Sequence, residues 1–266
     1  MPHPREPLNS KVPLAVHTIP AFTDNYIWLF HQQGDRQAYV VDPGDAGPVL
    51  DALKQLDLSL AGILVTHHHP DHVGGIDQLL EQFPVPVYAP AGISQASETV
   101  TAQDHLNIAN VDFEVFSIPG HTLDHIAYFA ASEPLLFCGD TIFSNGCGRL
   151  FEGTPEQMWH SISQLSALPP ETKLYCAHEY TEANTDFALR VEPENQALQQ
   201  RAQEVEKLRS QHQATIPTVL ATELATNPFL RANIESIQSA AAQYGQCSVA
   251  SAVEAFTLIR QWKDHF

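Results

Sequence analysis

The chain has 266 residues, 44% of them hydrophobic and 17% charged, which is enough to bury a proper core in one large domain or two smaller ones. Thirteen Lys and Arg against 31 Asp and Glu give a formal net charge of −18. That balance argues against a nucleic-acid binder or a protein held to anionic membranes, both of which need clustered cations, and no apolar run approaches the roughly 18 residues of a membrane span.

The start, Met1-Pro2-His3-Pro4-Arg5-Glu6-Pro7, has no apolar stretch of the secretory kind, so residues 1–10 read as a disordered lead. Strand-type runs are expected over 14–19, 25–30, 38–41, 61–65, 85–88, 113–118, 126–130, 135–138 and 174–176. Helical patterns interrupt them at 46–56, 75–83 and 155–168, the last opened by Thr154 as N-cap and Pro155 at the first helical position. Strands alternating with helices, without a G-x-G-x-x-G turn, predict an α/β (α+β) fold of sheets covered by outer helices. From about residue 182 the pattern turns helical. Leu198, Ala202, Val205 and Leu208 recur at helical spacing within 194–213, a break follows at 214–217, and helices are expected over 233–243 and 249–263. The expected division is therefore a domain over residues 11–181 and a mostly helical one over 182–266.

The segment Thr66-His67-His68-His69-Pro70-Asp71-His72 places four histidines and an aspartate on one short loop directly after an apolar run. Imidazole and carboxylate hold borderline divalent metals, whereas packing gives no reason to crowd them there. Four further segments put a ligand-type residue where a strand gives way to a loop. They are Pro119-Gly120-His121-Thr122, Cys138-Gly139-Asp140-Thr141, Cys176-Ala177-His178-Glu179 and, less clearly, Val41-Asp42-Pro43-Gly44-Asp45. Taken with His67, His69, Asp71 and His72, the residues His121, Asp140 and His178 make more ligands than one tetrahedral ion uses. They suit two cations that share a carboxylate and keep positions open for water. The chemistry expected is metal-dependent hydrolysis.

T-H-x-H-x-D-H with the later G-H-T, G-D-T and H-E-Y segments resembles the metallo-β-lactamase superfamily, an αββα sandwich. The resemblance is closer still to its hydroxyacylglutathione hydrolase (glyoxalase II) family. It is carried by Phe22-Thr23-Asp24-Asn25-Tyr26, Gly146-Cys147-Gly148-Arg149, His178-Glu179-Tyr180-Thr181 with Val191-Glu192-Pro193, and Asn227-Pro228-Phe229-Leu230-Arg231. It runs from about residue 14 to the last residue. The resemblance implies one metal on His67, His69 and His121, a second on Asp71, His72 and His178, and Asp140 bridging both. Asp71 and Asp140 are then catalytic, together with a hydroxide shared by two divalent ions, zinc first and iron or manganese as alternatives.

The implied substrate is a glutathione thioester, S-D-lactoylglutathione, cleaved to D-lactate and glutathione as the second step of methylglyoxal detoxification. Its leaving thiolate belongs to a thiol with a pKa of about 8.5 and needs little protonation to depart. Arg260 and Lys263, with Arg149 and Tyr180, are the implied binders of the glycine carboxylate. Independently, Val249, Ala252, Val253, Phe256 and Ile259 form an apolar stripe on the last helix, and Arg260 and Lys263 fall on the same side.

Three departures stand out: Arg149 where many relatives have lysine, Phe151 where some have tyrosine, and Asp124 where glycine is common. If the Asp124 position needs a positive φ, Asp tolerates it better than most residues. A mononuclear-iron glutathione persulfide dioxygenase of the same superfamily is the alternative, and it would not need the helical extension carrying Arg260 and Lys263. The cysteines Cys138, Cys147, Cys176 and Cys247 form no C-x-x-C pair and receive no ligand role. A cytoplasmic monomer without nucleic-acid or membrane partners is expected. His17, His31, His105, His160, His212 and His265 read as structural or solvated, and His68 and His125 as possible supports of neighbouring ligands.

Overall fold

In a computed structural model of the protein, residues 12–266 are described, so the lead expected at residues 1–10 lies outside them. The first sheet runs in chain order: β1 (Leu14–Ala21), β2 (Asn25–Gln32), β3 (Gln37–Val41), β4 (Ser59–Leu64), β5 (Val87–Ala89) and β6 (Glu98–Thr99). The first three strands pair antiparallel and the rest continue parallel. Parallel pairs need crossovers. Helix α1 (Ala46–Leu56) supplies the one between β3 and β4, capped by Asp45, which accepts from Gly47 N. A short helix α2 (Pro70–Val73) and α3 (Ile76–Gln82) supply the next.

The second sheet contains β7 (His105–Ile108), β8 (Val111–Ser117), β9 (Ile126–Ala130) and β10 (Leu135–Gly139). A small hairpin of β11 (Ile142–Phe143) and β12 (Gly146–Cys147) follows, then α4 (Pro155–Ser166) and β13 (Lys173–Cys176). Beyond it come α5 (Thr181–Val191), α6 (Gln196–Ser210), β14 (Thr218–Val219), α7 (Leu220–Thr226), α8 (Glu235–Gly245) and α9 (Ala252–Asp264). The order of the second sheet is β14-β13-β10-β9-β8-β7.

The period-2 alternation of β2 builds two cores at once. Trp28 and Phe30 face the second sheet and join Phe113, Phe137 and Tyr128 between the sheets. Ile27 and Leu29 face the other way, against Val49 and Leu53 of α1 and Leu79 of α3. On the far side, Met158, Ile162 and Leu165 of α4 and Phe256 and Ile259 of α9 belong to the inter-sheet cluster. The architecture is helix, sheet, sheet, helix, the αββα sandwich with a helical C-terminal part.

Each expected strand is present, but four short pieces carry no readable signal: β6, β7, the β11–β12 hairpin and β14. The two-residue strands β6, β11, β12 and β14 are too short for a period of two to show, and β7 buries only one of its four residues. The break expected at 214–217 leads into β14, whose Thr218 pairs with Leu174, so the helical part also adds an edge strand to the second sheet. The last helix starts at Ala252, capped by Ser251, rather than at 249. Helices α5 and α7 were not separately legible.

Strand direction positions the site. β3 and β4 are parallel; β8 and β10 are both antiparallel to β9; β13 is parallel to β10. The loops after β3 and β4 therefore open at one end of the first sheet, and those after β8, β10 and β13 at one end of the second. Tyr26 N donates to Ala177 O at 2.7 Å and Asn25 bridges His178, which joins the two ends into one edge of the sandwich.

Candidate metal centre

The loop after β4 is fixed from below. Thr66 donates through its backbone N and its Oγ1 to the two carboxylate oxygens of Asp42, both at 2.7 Å. Pro70 then opens α2 with His69 at its N-cap, so the loop turns sharply between its second and third ligand-type residues. His69 Nδ1 lies 3.1 Å from both His67 Nε2 and His121 Nε2. A second group forms beside it, with Asp71 Oδ2 3.6 Å from His72 Nε2 and 3.5 Å from His178 Nε2. Asp140 touches both groups: Oδ2 is 3.3 Å from His121 Nε2 and 3.4 Å from His178 Nε2, and Oδ1 is 3.6 Å from His72 Nε2. All seven residues singled out as ligand types come together at this edge.

The donor set suits divalent cations. Two nitrogens bound at 2.0–2.1 Å to one tetrahedral ion stand about 3.3 Å apart, close to the spacing in the first group. His72 Nε2 and Asp140 Oδ1 are buried without a hydrogen-bond partner, a state that costs about 1–3 kcal/mol per atom unless something else satisfies them. His67, His69 and His121 form one possible ligand trio, and Asp71, His72 and His178 another. The donors are nitrogen and oxygen only.

Neighbours hold the outer nitrogens of His121 and His178, while His72 Nδ1, close to Asp42, makes no hydrogen bond. His121 Nδ1 donates to Arg149 O at 2.8 Å, His178 Nδ1 meets Asp24 Oδ1 at 2.8 Å, and His72 Nδ1 lies 3.1 Å from Asp42 Oδ2. Asn25 Nδ2 donates to Asp71 Oδ2 at 3.0 Å. His125 Nε2 accepts from Asp140 N at 3.1 Å, beneath Gly139, whose φ of +49° and crowding against the His125 ring leave no room for a Cβ. Such contacts orient ligating side chains and fix their tautomers.

Burial, reinforced by neighbouring imidazoles, pushes His67 well below its ordinary pKa, lowers His69 and His121 as well, and takes His125 down to about 3. Burial opposes charge on His72 and His178 too, but Asp140 outweighs it, with Asp42 and Asp24 assisting, and both pKa values rise. Burial would raise Asp140; His72 and His178 prevail and hold it well below the usual carboxylate range. The buried Asp140 carboxylate thus favours positive charge beside it, which a cation at the same place supplies.

Five of these residues, His69, Asp71, His121, Asp140 and His178, line a cavity of about 690 Å³ that is also lined by Arg149, Arg260 and Lys263, while His67 and His72 lie buried behind it. Arg260 is buried; its Nη1 donates to Cys147 O at 2.9 Å and its Nη2 to Asp264 Oδ1 at 3.0 Å. Lys263 Nζ donates to Ala183 O at 3.0 Å and lies over the Phe187 ring. The Tyr180 ring is parallel to that of His178 with centroids 4.7 Å apart, and burial pushes its hydroxyl pKa up. Phe151 stands exposed at the mouth, edge-on to His121 and His69.

Comparison with known proteins agrees with this geometry. Residues 22–178 match the metallo-beta-lactamase superfamily and residues 179–266 the hydroxyacylglutathione hydrolase C-terminus. Hydroxyacylglutathione hydrolase from Idiomarina loihiensis is 49% identical, covering 95% of this chain and 100% of the relative. That from Pseudomonas paraeruginosa is 48% identical at the same coverage. The chain belongs to the hydroxyacylglutathione hydrolase family. Among solved structures, ETHE1 from Myxococcus xanthus superposes with a TM-score of 0.67 at 22% identity, over 93% of this chain and 91% of that one. The B3 metallo-beta-lactamase BLEG-1 gives 0.63 at 24%, over 81% and 99%. Both show the shared fold. The match over residues 179–266 favours the hydroxyacylglutathione hydrolase reading over the persulfide dioxygenase alternative.

Within this family member the sequence left several supports unread. Asp24, Asn25 and Thr66 were visible only as letters in motifs. Asp42 appeared as a weak ligand candidate, yet it stands behind His72 and Thr66 instead. The usable signal was its place at a strand end before Pro43-Gly44, shared with the ligand-type loops. Asp124 needs correction: it is not among the residues with positive φ. It meets His68 Nδ1 at 3.0 Å, while Glu152 lies 3.3 Å from His68 Nε2. His68 is thus tied to the rim, and His125 to the backbone under Asp140.

Proposed function

We propose that the protein hydrolyses S-D-lactoylglutathione to D-lactate and glutathione, the second step of methylglyoxal detoxification. In this reading His67, His69 and His121 hold one divalent cation, Asp71, His72 and His178 hold the other, and Asp140 is shared. The observation that carries it is a single cavity lined by five residues of this ligand set together with three cationic side chains, Arg149, Arg260 and Lys263, in a chain of −18 net charge. The cations, when bound, would lower the pKa of a shared water toward neutrality and polarise the thioester carbonyl.

The chain's own part is positioning. Asp71 Oδ2, steadied by Asn25, and Asp140 orient the attacking water at the cavity floor. Arg260, Lys263, Arg149 and Tyr180 hold the glycine carboxylate of the tripeptide, which sets the thioester over the ligand cluster. Arg149 in place of lysine keeps the charge with a different hydrogen-bond fork, and Phe151 in place of tyrosine gives up one phenolic bond. The thiolate leaves without a dedicated acid, given its pKa of about 8.5.

Nitrogen and oxygen donors make zinc our first choice of metal, with iron or manganese accepted by the same set. The division into residues 11–181 and 182–266, a cytoplasmic location and a monomeric state belong to the same proposal; four free cysteines suit a reducing compartment. The test is elemental analysis with a lactoylglutathione assay on the purified protein and its His67→Ala and Asp140→Ala variants. We expect two ions per chain in the parent, and turnover in each variant lowered by about 10³-fold or more with the fold retained. Full turnover in either variant would refute the site.

A further inference from the structure

Away from the cavity, the first sheet carries a second pair of nitrogen ligands. The register of β1 and β2 places His17 opposite Leu29 and His31 opposite Ala15, so the two histidines are diagonal neighbours on one face of the sheet. Ile19, Ile27 and Leu29 of these strands belong to the outer core, and the histidines stand half-buried at its rim. Their rings are parallel within 5°, with centroids 5.3 Å apart and the two Nε2 atoms 3.2 Å apart.

The His31 tautomer is set by its surroundings. Its Nδ1 lies 2.8 Å from Gln32 O and 3.1 Å from Asp35 O, both pure acceptors, so the ring proton sits on Nδ1 and the Nε2 lone pair faces His17. His17 Nε2 then either donates its own hydrogen to that lone pair or, with its proton on Nδ1, offers a second lone pair beside the first.

We propose that His17 and His31 form a two-imidazole site for a nitrogen-preferring divalent transition-metal ion such as Ni²⁺, Cu²⁺ or Zn²⁺, separate from the catalytic cavity. The 3.2 Å spacing is near the edge of about 3.3 Å that two imidazole nitrogens make around one tetrahedral ion. The broad χ2 well of histidine lets each ring tilt to aim its lone pair at a common point. Burial, and then the nearby His31, lower the pKa of His17, which keeps its ring neutral and able to bind at neutral pH. Hard, oxygen-seeking Mg²⁺ and Ca²⁺ do not suit the pair. The ion fastens the edge strand β1 to β2 and binds only the folded chain, so it raises thermal stability.

The probe is Ni²⁺ alone, titrated calorimetrically into enzyme already loaded with its catalytic ions, for the parent, His17→Gln and His31→Gln. The parent takes up one further equivalent. Each variant weakens that binding by about ten-fold or more and abolishes the Ni²⁺-induced rise in Tm, with thioester hydrolysis unchanged. Paramagnetic broadening of the His17 and His31 ring protons by Ni²⁺ gives a second readout. The proposal is overturned if the parent binds no ion beyond the catalytic ones, or if the variants bind it as tightly as the parent. Both outcomes are read without reference to activity, so they leave the hydrolase reading untouched.

Discussion

Arg260 concentrates what the cavity asks of one side chain. A buried guanidinium is kept in place by Cys147 O and Asp264, while its Nε has no protein partner. Hydrogen bonds to charged groups contribute about 1.5–3 kcal/mol, so Arg260→Ala should raise KM for lactoylglutathione by roughly 10–100-fold and leave kcat nearly unchanged. Arg260→Lys should restore only part of the loss, because an ammonium cannot span the same acceptors and a ligand carboxylate together. Steady-state kinetics separate these outcomes, and a fall confined to kcat would count against a role in binding the remote end of the substrate. Helical spacing made the facing of Arg260 readable. Its partner Cys147 O was not readable, because that contact joins residues 113 positions apart and involves a backbone atom. The same limit applies to His121, Asp140 and His178. Each alone is an ordinary polar residue; a shared place at a strand end, and chiefly the family resemblance, joined them to the dense loop of His67 to His72.

Among the elements, the β11–β12 hairpin explains how the helical part reaches the site. Its tip, Ser144 and Asn145, is fully buried, and Glu223 of α7 accepts from Ser144 Oγ, Asn145 N, Thr218 Oγ1 and Asn227 Nδ2 at 2.7–3.0 Å. Asn227 Nδ2 also donates to Phe143 O and Gly146 O, and Asn145 is bonded to Thr185 and Thr226. The hairpin lies between Asp140 and Arg149, so the carboxylate that grips it steadies both ends of the cavity wall. Glu223→Ala leaves three buried donors, Ser144 Oγ, Asn145 N and Thr218 Oγ1, without an acceptor and should destabilise the fold by about 3 kcal/mol or more; Glu223→Gln, which keeps the shape and one acceptor, should cost less. Urea midpoints of the three proteins measure this, and equal stability would show that water satisfies the tip. Long apolar strands and capped helices such as α1 and α4 were legible because pattern and cap agree. Glu223 was not, since nothing in Ala221-Thr222-Glu223-Leu224-Ala225 marks a buried carboxylate until β14 and the hairpin close over it.

Across the whole molecule, the family boundary at residue 178/179 is not a physical one. Phe187, Phe229, Phe256 and Ile259 lie in the same buried cluster as Trp28, Phe113 and Phe137, so the inter-sheet core continues into the helical part. Polar ties cross as well: Tyr26 Oη donates to Glu179 Oε2 at 3.1 Å, Glu223 grips the hairpin, and Arg260 holds Cys147. A linker between independent domains would show few such crossings. Unfolding either part alone would expose the aromatic surface of the other and strand buried polar groups, and each stranded group costs about 1–3 kcal/mol. The two parts should therefore melt together. Calorimetry of the metal-loaded protein should give one transition whose calorimetric and van't Hoff enthalpies agree, and chelation should move that transition to lower temperature without splitting it. A chain ending at residue 181 should fail to give a cooperatively folded protein, since it lacks β14, the Glu223 grip and the aromatic floor of the second sheet. Two resolved transitions, or a stable folded fragment, would mean that the shared core contributes less than its continuity implies.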